Sequence, residues 1–231
     1  MIRLTSVEKI YSSGEGKVRV SDNVNLSVKP GEFAIFTGES GAGKSTILNI
    51  ISGLERPDSG SVQINGKDVS KYTENELADY RKNQVGFVFQ FYNLIPNLTV
   101  RENVELAARM KRDSENTEEV LASVGLSHRL DNFPSQLSGG EQQRVSIARA
   151  IVKKPDILLC DEPTGALDHQ TSKDVLVLLQ QLSLKNRMTV LMVTHNRGLT
   201  PMANRVFEVS DGKIKKEIEN EQPTYVSSLE W

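Results

Sequence analysis

Phe33-Ala-Ile-Phe-Thr-Gly-Glu-Ser-Gly-Ala-Gly-Lys-Ser-Thr-Ile-Leu-Asn-Ile-Ile-Ser-Gly-Leu54 decides the fold. It opens on a short apolar run, Phe33–Phe36, suited to a strand buried on both faces. It closes on Ile47, Ile50, Ile51 and Leu54 at helical spacing, with Gly53 near the end as a stop. Between them, Gly38, Glu39, Ser40, Gly41, Ala42, Gly43, Lys44 and Ser45 match the pattern G-x-x-x-x-G-K-[ST]. The glycines let backbone amides turn inward as a nest for phosphate oxygens, and the next helix adds its free N–H groups and dipole. On this reading Lys44 reaches the β- and γ-phosphates, the Ser45 hydroxyl holds Mg²⁺, and Thr46 completes the cradle. The Glu39 side chain points outward and takes no catalytic part. The loop alone leaves a kinase, a GTPase and an ATPase motor open.

The flanks read as an α/β chain. Before the loop, Lys17–Val20 and Val24–Val28 read as short strands, and after it Val62-Gln-Ile64 alternates into the hairpin turn Asn65-Gly66. Phe91 to Val152 reads as mostly helical. Thr99-Val-Arg-Glu102 fits a capping box, and Val120, Leu121 and Val124 share a helix face that Gly125 can end. The last third alternates again: strand Asp156–Cys160, a helix carrying Val175, Leu176, Leu179 and Leu182, the apolar strand Thr189–Thr194, and a closing hairpin around Asp211-Gly212. Strands alternating with helices predict a mostly parallel sheet with a helical insertion.

Two further segments carry chemistry. Ile157-Leu-Leu-Cys160-Asp161-Glu162 is an apolar strand ending in two acids, and open parallel sheets bind ligands at the carboxyl ends of their strands. Asp161 then meets the metal side of the nucleotide and Glu162 polarises the attacking water as general base. Cys160, inside the buried run, reads as packing. Leu137-Ser138-Gly139-Gly140-Glu141-Gln142-Gln143-Arg144 places a serine and two glycines ahead of a helix with apolar Val145, Ile147, Ala148 and Ala150. This is a second anion-binding helix start. By itself it equally reads as an ordinary serine-glycine cap.

Taken together, these motifs resemble the ATP-binding subunit of an ABC transporter, over essentially the whole chain from Arg3 to about Lys216. The fold that this resemblance implies is a P-loop NTPase: a RecA-like α/β core with a mostly parallel sheet, an N-terminal antiparallel β subdomain and an inserted α-helical subdomain. It implies that residues 1–231 form a single ATP-binding domain with a core of about 1–90 and 153–220, a helical subdomain of about 91–152 and a C-terminal tail of 217–231. The same resemblance assigns the site residues. Tyr11 matches the aromatic that stacks on adenine. Gly38–Ser45 is the Walker A loop, and Gln90 is the Q-loop glutamine, touching Mg²⁺ or the attacking water. Ser138, Gly139, Gly140 and Glu141 form the signature motif, which reads the ATP of a partner chain. Asp161 and Glu162 close Walker B, Asp168 lies in the D-loop, and His195 is the switch histidine that contacts the γ-phosphate. Ser45, Gln90 and Asp161 form the metal set. The strongest departure is Cys160, where a small apolar residue is usual; the chemistry is expected to be unaffected. His128 and His169 match no motif and read as solvated or helix-terminal.

In such a family two cassettes pack head to tail, so the expected assembly is a homodimer formed on ATP binding. Val85–Val104 and Asp161–Asp168 are similar to the MacB/LolD group, whose ATPases drive FtsX-like permeases. The expected function is therefore a motor for efflux of drugs or antimicrobial peptides, docking the permease through about Phe91–Leu98, with a membrane-fusion-type adaptor as an indirect partner. An FtsE-like regulator of cell-wall hydrolases and a LolD-like lipoprotein-release ATPase are the alternatives. The resemblance implies a peripheral subunit held at the cytoplasmic face of the cell membrane by its permease. Lys plus Arg is 28 against 30 Asp plus Glu, which excludes a strongly basic nucleic-acid binder. One cysteine among 231 residues excludes a disulfide framework. No apolar run approaches the ~18 residues a membrane span needs, and the amino-terminal segment has no secretion signal.

Overall fold

The computed structural model describes residues 1–13 and 16–231. Strands β1 (Ile2–Ser13) and β2 (Gly16–Val28) pair antiparallel, followed by β3 (Phe33–Thr37) and helix α1 (Lys44–Ser52). β4 (Ser59–Ile64) and β5 (Lys67–Asp68) join across Asn65 and Gly66, both at positive φ as a tight hairpin turn requires. The first sheet has the order β2-β1-β4-β5. The polar run Ser21-Asp22-Asn23 reads in the sequence as a break between two short strands. β2 instead continues through that run as an irregularity, with Asn23 in the left-handed region and the pairing register shifting.

Helix α2 (Glu74–Gln84) and strand β6 (Val85–Val88) come next. Periodicity does not separate them, because only Leu77 and Tyr80 of α2 are buried and no apolar stripe marks the helix. Its start is set by a Thr73/Glu76 capping box instead. Helices α3 (Val100–Ala108), α4 (Thr117–Ser123) and α5 (Gly139–Ile151) precede β7 (Ile157–Asp161), α6 (His169–Asn186), β8 (Thr189–Val193), β9 (Arg205–Ser210) and β10 (Lys213–Glu219). The second sheet has the order β10-β9-β3-β8-β7-β6, parallel throughout except for the antiparallel edge strand β10.

Strict period-2 alternation in the central strands divides the core into two layers. Phe33 and Ile35, Leu158 and Cys160, and Val190 and Met192 face α3, α4, α5 and α6. Ala34 and Phe36, Ile157 and Leu159, and Leu191 and Val193 face α1 and the antiparallel sheet. Because both faces are covered, β3 and β8 are buried at every residue. Phe36 stacks on Phe207 at 5.1 Å between ring centroids and fixes β3 beside β9. Helix α5 shares the core layer of the sheet through Val145, Ile147 and Ala148. The carboxyl ends of β3, β7 and β8 therefore open at one edge, beside the starts of α1 and α6.

Candidate active site

β3 delivers the chain to Gly38, where φ is 152° and a Cβ would stand 2.1 Å from the Val209 carbonyl oxygen; only glycine passes β9 there. Gly43 precedes α1 at φ 97°, with a Cβ position 2.3 Å from the Val20 carbonyl oxygen. No side chain caps α1 and its first turn holds no acid, so its leading N–H groups face the loop unpaired with any side chain. The Lys44 ammonium folds back to donate to the carbonyls of Gly38 (2.9 Å) and Glu39 (2.7 Å). Burial lowers its pKa, against the pull of Glu162 and Asp161. Glu39 contributes a main-chain acceptor here. A cleft of about 170 Å³ is bounded by Ser40, Gly41, Lys44 and Thr46 on one side and Glu162 and His195 on the other. Ala42 is buried beneath the loop and bonds Gly212 through its carbonyl.

Strands β7 and β8 bring the acids and the histidine to this cleft. The Ser45 hydroxyl donates to Asp161 Oδ1 at 2.9 Å. Glu162 leaves β7 in a left-handed conformation (φ 47°), its N–H bonded to the Val193 carbonyl at 3.1 Å. That turn aims its carboxylate across to His195 Nε2, which it contacts directly. His195 Nδ1 lies 3.1 Å from the Gly38 carbonyl oxygen. One chain of contacts thus runs Glu162–His195–Gly38 across the mouth of the loop. On its far side, Glu162 and His195 wall a second cavity of about 410 Å³, together with His169 and Trp231. The Gln90 amide packs against Gly165, where a Cβ would lie 2.9 Å from Gln90 Nε2. Tyr11 is exposed on β1; its hydroxyl contacts Glu55, and burial and then Glu55 raise its pKa while Thr46 lowers it. Cys160 is fully buried and burial, then Asp161, pushes its thiol far up, which makes it inert packing.

The remaining sequence-predicted residues lie at two other helix starts. Ser138 caps α5: its hydroxyl accepts from the Glu141 N–H at 3.3 Å while Glu141 accepts from the Ser138 N–H at 2.8 Å. Arg129 Nε donates to the same carboxylate at 2.8 Å. Burial pushes the Glu141 pKa up, but the Ser138 and Arg129 hydrogen bonds outweigh it and hold the carboxylate below its ordinary value. Asp168 caps α6 through the Thr171 N–H (3.0 Å) and hydroxyl (2.6 Å). Gly140 packs on Thr171 so closely that a Cβ would lie 2.2 Å from its methyl, which joins the two helix starts. Among the described residues no hydrogen bond or ion pair connects Ser138–Glu141 with Gly38–Ser45. His128 lies 3.9 Å from Glu141, and His169, the first residue of α6, packs on Trp231.

Three features carry no sequence motif. Gln143, fully buried, donates to the Pro163 carbonyl at 2.7 Å and so ties α5 to the turn after Glu162. Arg149 donates to the carbonyls of Tyr92 and Asn93. An apolar groove of about 290 Å³ is floored by Leu54, Phe87 and Phe89 and walled by Ala107 and Arg149, so its floor lies beside Phe91–Leu98 rather than within it. The only signal for Arg149 is a basic residue in the last turn of α5, between the apolar Ala148 and Ala150.

The fold and the loop define a P-loop nucleotide hydrolase. The chain belongs to the ABC transporter family, whose model matches residues 21–165. It is an ATPase cassette. It is 44% identical to the lipoprotein-releasing system ATP-binding protein LolD of Geobacter metallireducens, over 93% of this chain and 97% of that one. It is also 44% identical to the macrolide export ATP-binding/permease protein MacB of Azoarcus sp., over 93% of this chain but only 33% of that protein. The chain spans half or less of the length of several curated relatives that it matches. A solved dimeric structure of the ATP-binding cassette MJ0796, in a post-hydrolysis state bound to ADP and Pi, superposes with a TM-score of 0.87 at 40% identity, covering 95% of this chain and 98% of that one. Among the described residues no helix is long and apolar enough to cross a membrane.

Proposed function

We propose that ATP binds with its phosphates in the Gly38–Thr46 cradle and its adenine on Tyr11, and that Glu162 is the general base of hydrolysis. The contact chain Glu162–His195–Gly38 across the loop carries this reading. A water between Glu162 and the γ-phosphorus gives its proton to the carboxylate as its oxygen bonds phosphorus. The bond from the γ-phosphorus to the β–γ bridging oxygen breaks, and ADP leaves. His195 holds the γ-phosphate and orients Glu162, and Lys44 exchanges its two carbonyl partners for phosphate oxygens. The hydroxyl and carboxylate paired in Ser45–Asp161 are hard oxygen donors of the kind Mg²⁺ takes, with Gln90 as the third member of the set. When bound, Mg²⁺ neutralises charge on the β- and γ-oxygens.

Each ATP is shared between two copies of the chain, with Ser138, Gly139, Gly140, Glu141 and Asp168 serving the partner's nucleotide. The separation of these residues from the loop within one chain, and the dimeric cassette to which the chain is similar, support this. The permease partner is FtsX/MacB-like and docks at the Leu54–Phe87–Phe89 groove and the adjoining Phe91–Leu98 loop. Four large apolar side chains around it, Leu54, Phe91, Leu106 and Met110, are about half or more exposed, which supports a docking surface. The output is efflux of drugs or antimicrobial peptides. Lipoprotein release is the second reading, carried by the relative LolD at equal identity.

Glu162→Gln tests the chemistry. The expected result is ATP binding unchanged within about twofold, turnover reduced at least about 100-fold, as for loss of a general base, and an ATP-trapped dimer in light scattering. Normal turnover in that variant sinks the assignment.

A further inference from the structure

We propose that Arg149 is a positioning residue for ATP hydrolysis, acting on Gln90 by clamping the backbone immediately after it. The inference rests on the reading of Gln90 as a ligand of the metal or the attacking water. Tyr92 and Asn93 are consecutive and both left-handed, at φ 55° and 51°. Neither is glycine, and an aromatic residue is a poor occupant of that region. Such a pair persists only where its surroundings over-determine it. Arg149 supplies the constraint: its guanidinium donates to the Asn93 carbonyl at 2.5 Å and to the Tyr92 carbonyl at 2.8 Å. Its planar fork reaches two successive carbonyls at once, a geometry that a lysine ammonium cannot reproduce. The Asn93 N–H closes a tight turn onto the Phe91 carbonyl at 2.5 Å.

The Tyr92 side chain also lies close to the start of the same helix. The Tyr92 hydroxyl lies 2.9 Å from where a Cβ on Gly139 would stand, at the start of α5, while Arg149 comes from the end of the same helix. Gln90 stands two residues before this clamp and rests on Gly165, three residues past Glu162. Rotating the Tyr92–Asn93 pair into ordinary conformations would redirect the preceding chain and draw the Gln90 amide from that seat. Arg149 is also a wall of the apolar groove, within reach of a side chain docked there.

The test is a double-mutant cycle on steady-state ATP hydrolysis by the full chain, using Arg149→Gln, Gln90→Ala and the double variant. Arg149→Gln is expected to lower kcat about 10- to 100-fold, the scale of a small misplacement of a reacting group, with KM for ATP within about twofold because the loop and Tyr11 are untouched. Combined with Gln90→Ala, it is expected to add nothing to the loss from Gln90→Ala alone. Should Arg149→Gln not fold, Arg149→Lys, which keeps the charge and loses one bond, goes through the same cycle with a smaller expected loss. Unchanged kcat in the arginine variant overturns the proposal. Losses that multiply in the double variant overturn it while leaving the Gln90 reading intact. Unchanged kcat in Gln90→Ala alone overturns the Gln90 reading, and the proposal with it.

Discussion

At the scale of single residues, Lys44 shows how the side chain proposed to bind phosphate is held. Its ammonium is satisfied by the loop's own carbonyls, so in the proposed site ATP would exchange hydrogen bonds rather than create them from nothing. Charged hydrogen bonds contribute about 1.5–3 kcal/mol net, so Lys44→Ala should weaken ATP binding about 10- to 100-fold by calorimetry. Affinity unchanged by the substitution would remove the phosphate-contact role. Lys44 is legible in the sequence because the pattern G-x-x-x-x-G-K-[ST] records a steric demand. Gly38 and Gly43 are required where carbonyl oxygens of β9 and β2 occupy the volume of a side chain, although the pattern does not show which strands cause this. Asp161 and Glu162 are legible as the end of a buried strand, and Ser45 as the residue after the lysine. Their convergence is not, since it needs β3 and β7 on the same sheet with β8 between them. Arg149 and Gln143 are illegible for another reason: each acts on a backbone carbonyl, and a carbonyl has no sequence signature.

At the scale of elements, three helices begin with the same device. Thr73/Glu76, Thr99/Glu102 and Ser138/Glu141 each form a reciprocal capping box with nearly identical hydrogen bonds, 3.2–3.3 Å to the hydroxyl and 2.7–2.8 Å to the carboxylate. Local geometry therefore cannot tell a cap from a nucleotide-reading turn. What distinguishes the third is its glycines, one of which packs its bare Cα on Thr171 at the neighbouring helix start. The comparison yields a paired experiment. Thr99→Ala and Ser138→Ala should each cost about 1 kcal/mol of stability, about 2–4 °C in the thermal midpoint of a chain this size. Only Ser138→Ala should also reduce ATP turnover. Equal turnover in the two variants would leave Ser138 as a cap and nothing more. The elements themselves are legible where burial leaves an apolar run, as in β3, β7 and β8, or a helical period, as in α6. They are illegible where polar residues carry them: α2 buries two side chains, and β2 runs on through a polar run that reads as a turn.

At the scale of the whole molecule, the two core layers place the two proposed half-sites on different elements of one chain. The layer under the antiparallel sheet fixes α1 and its phosphate cradle, while the layer of α5 and α6 fixes Ser138 and Asp168. Both proposed half-sites sit on packed elements, and among the described residues no hydrogen bond or ion pair joins Ser138–Glu141 to Gly38–Ser45. On the proposed reading a second copy brings them to one nucleotide, and ATP would act as a ligand that favours the closed pair through its greater affinity for it. A bulky cation at Ser138 should therefore block closure without touching the cradle of its own chain. In a Glu162→Gln background, Ser138→Arg is expected to keep nucleotide affinity as a monomer within about twofold and to abolish ATP-dependent dimers in light scattering. The lost cap accounts for about 1 kcal/mol of stability, which Ser138→Ala measures separately. ATP-dependent dimers that persist in Ser138→Arg, with the fold intact, would mean that the start of α5 does not face a partner's nucleotide.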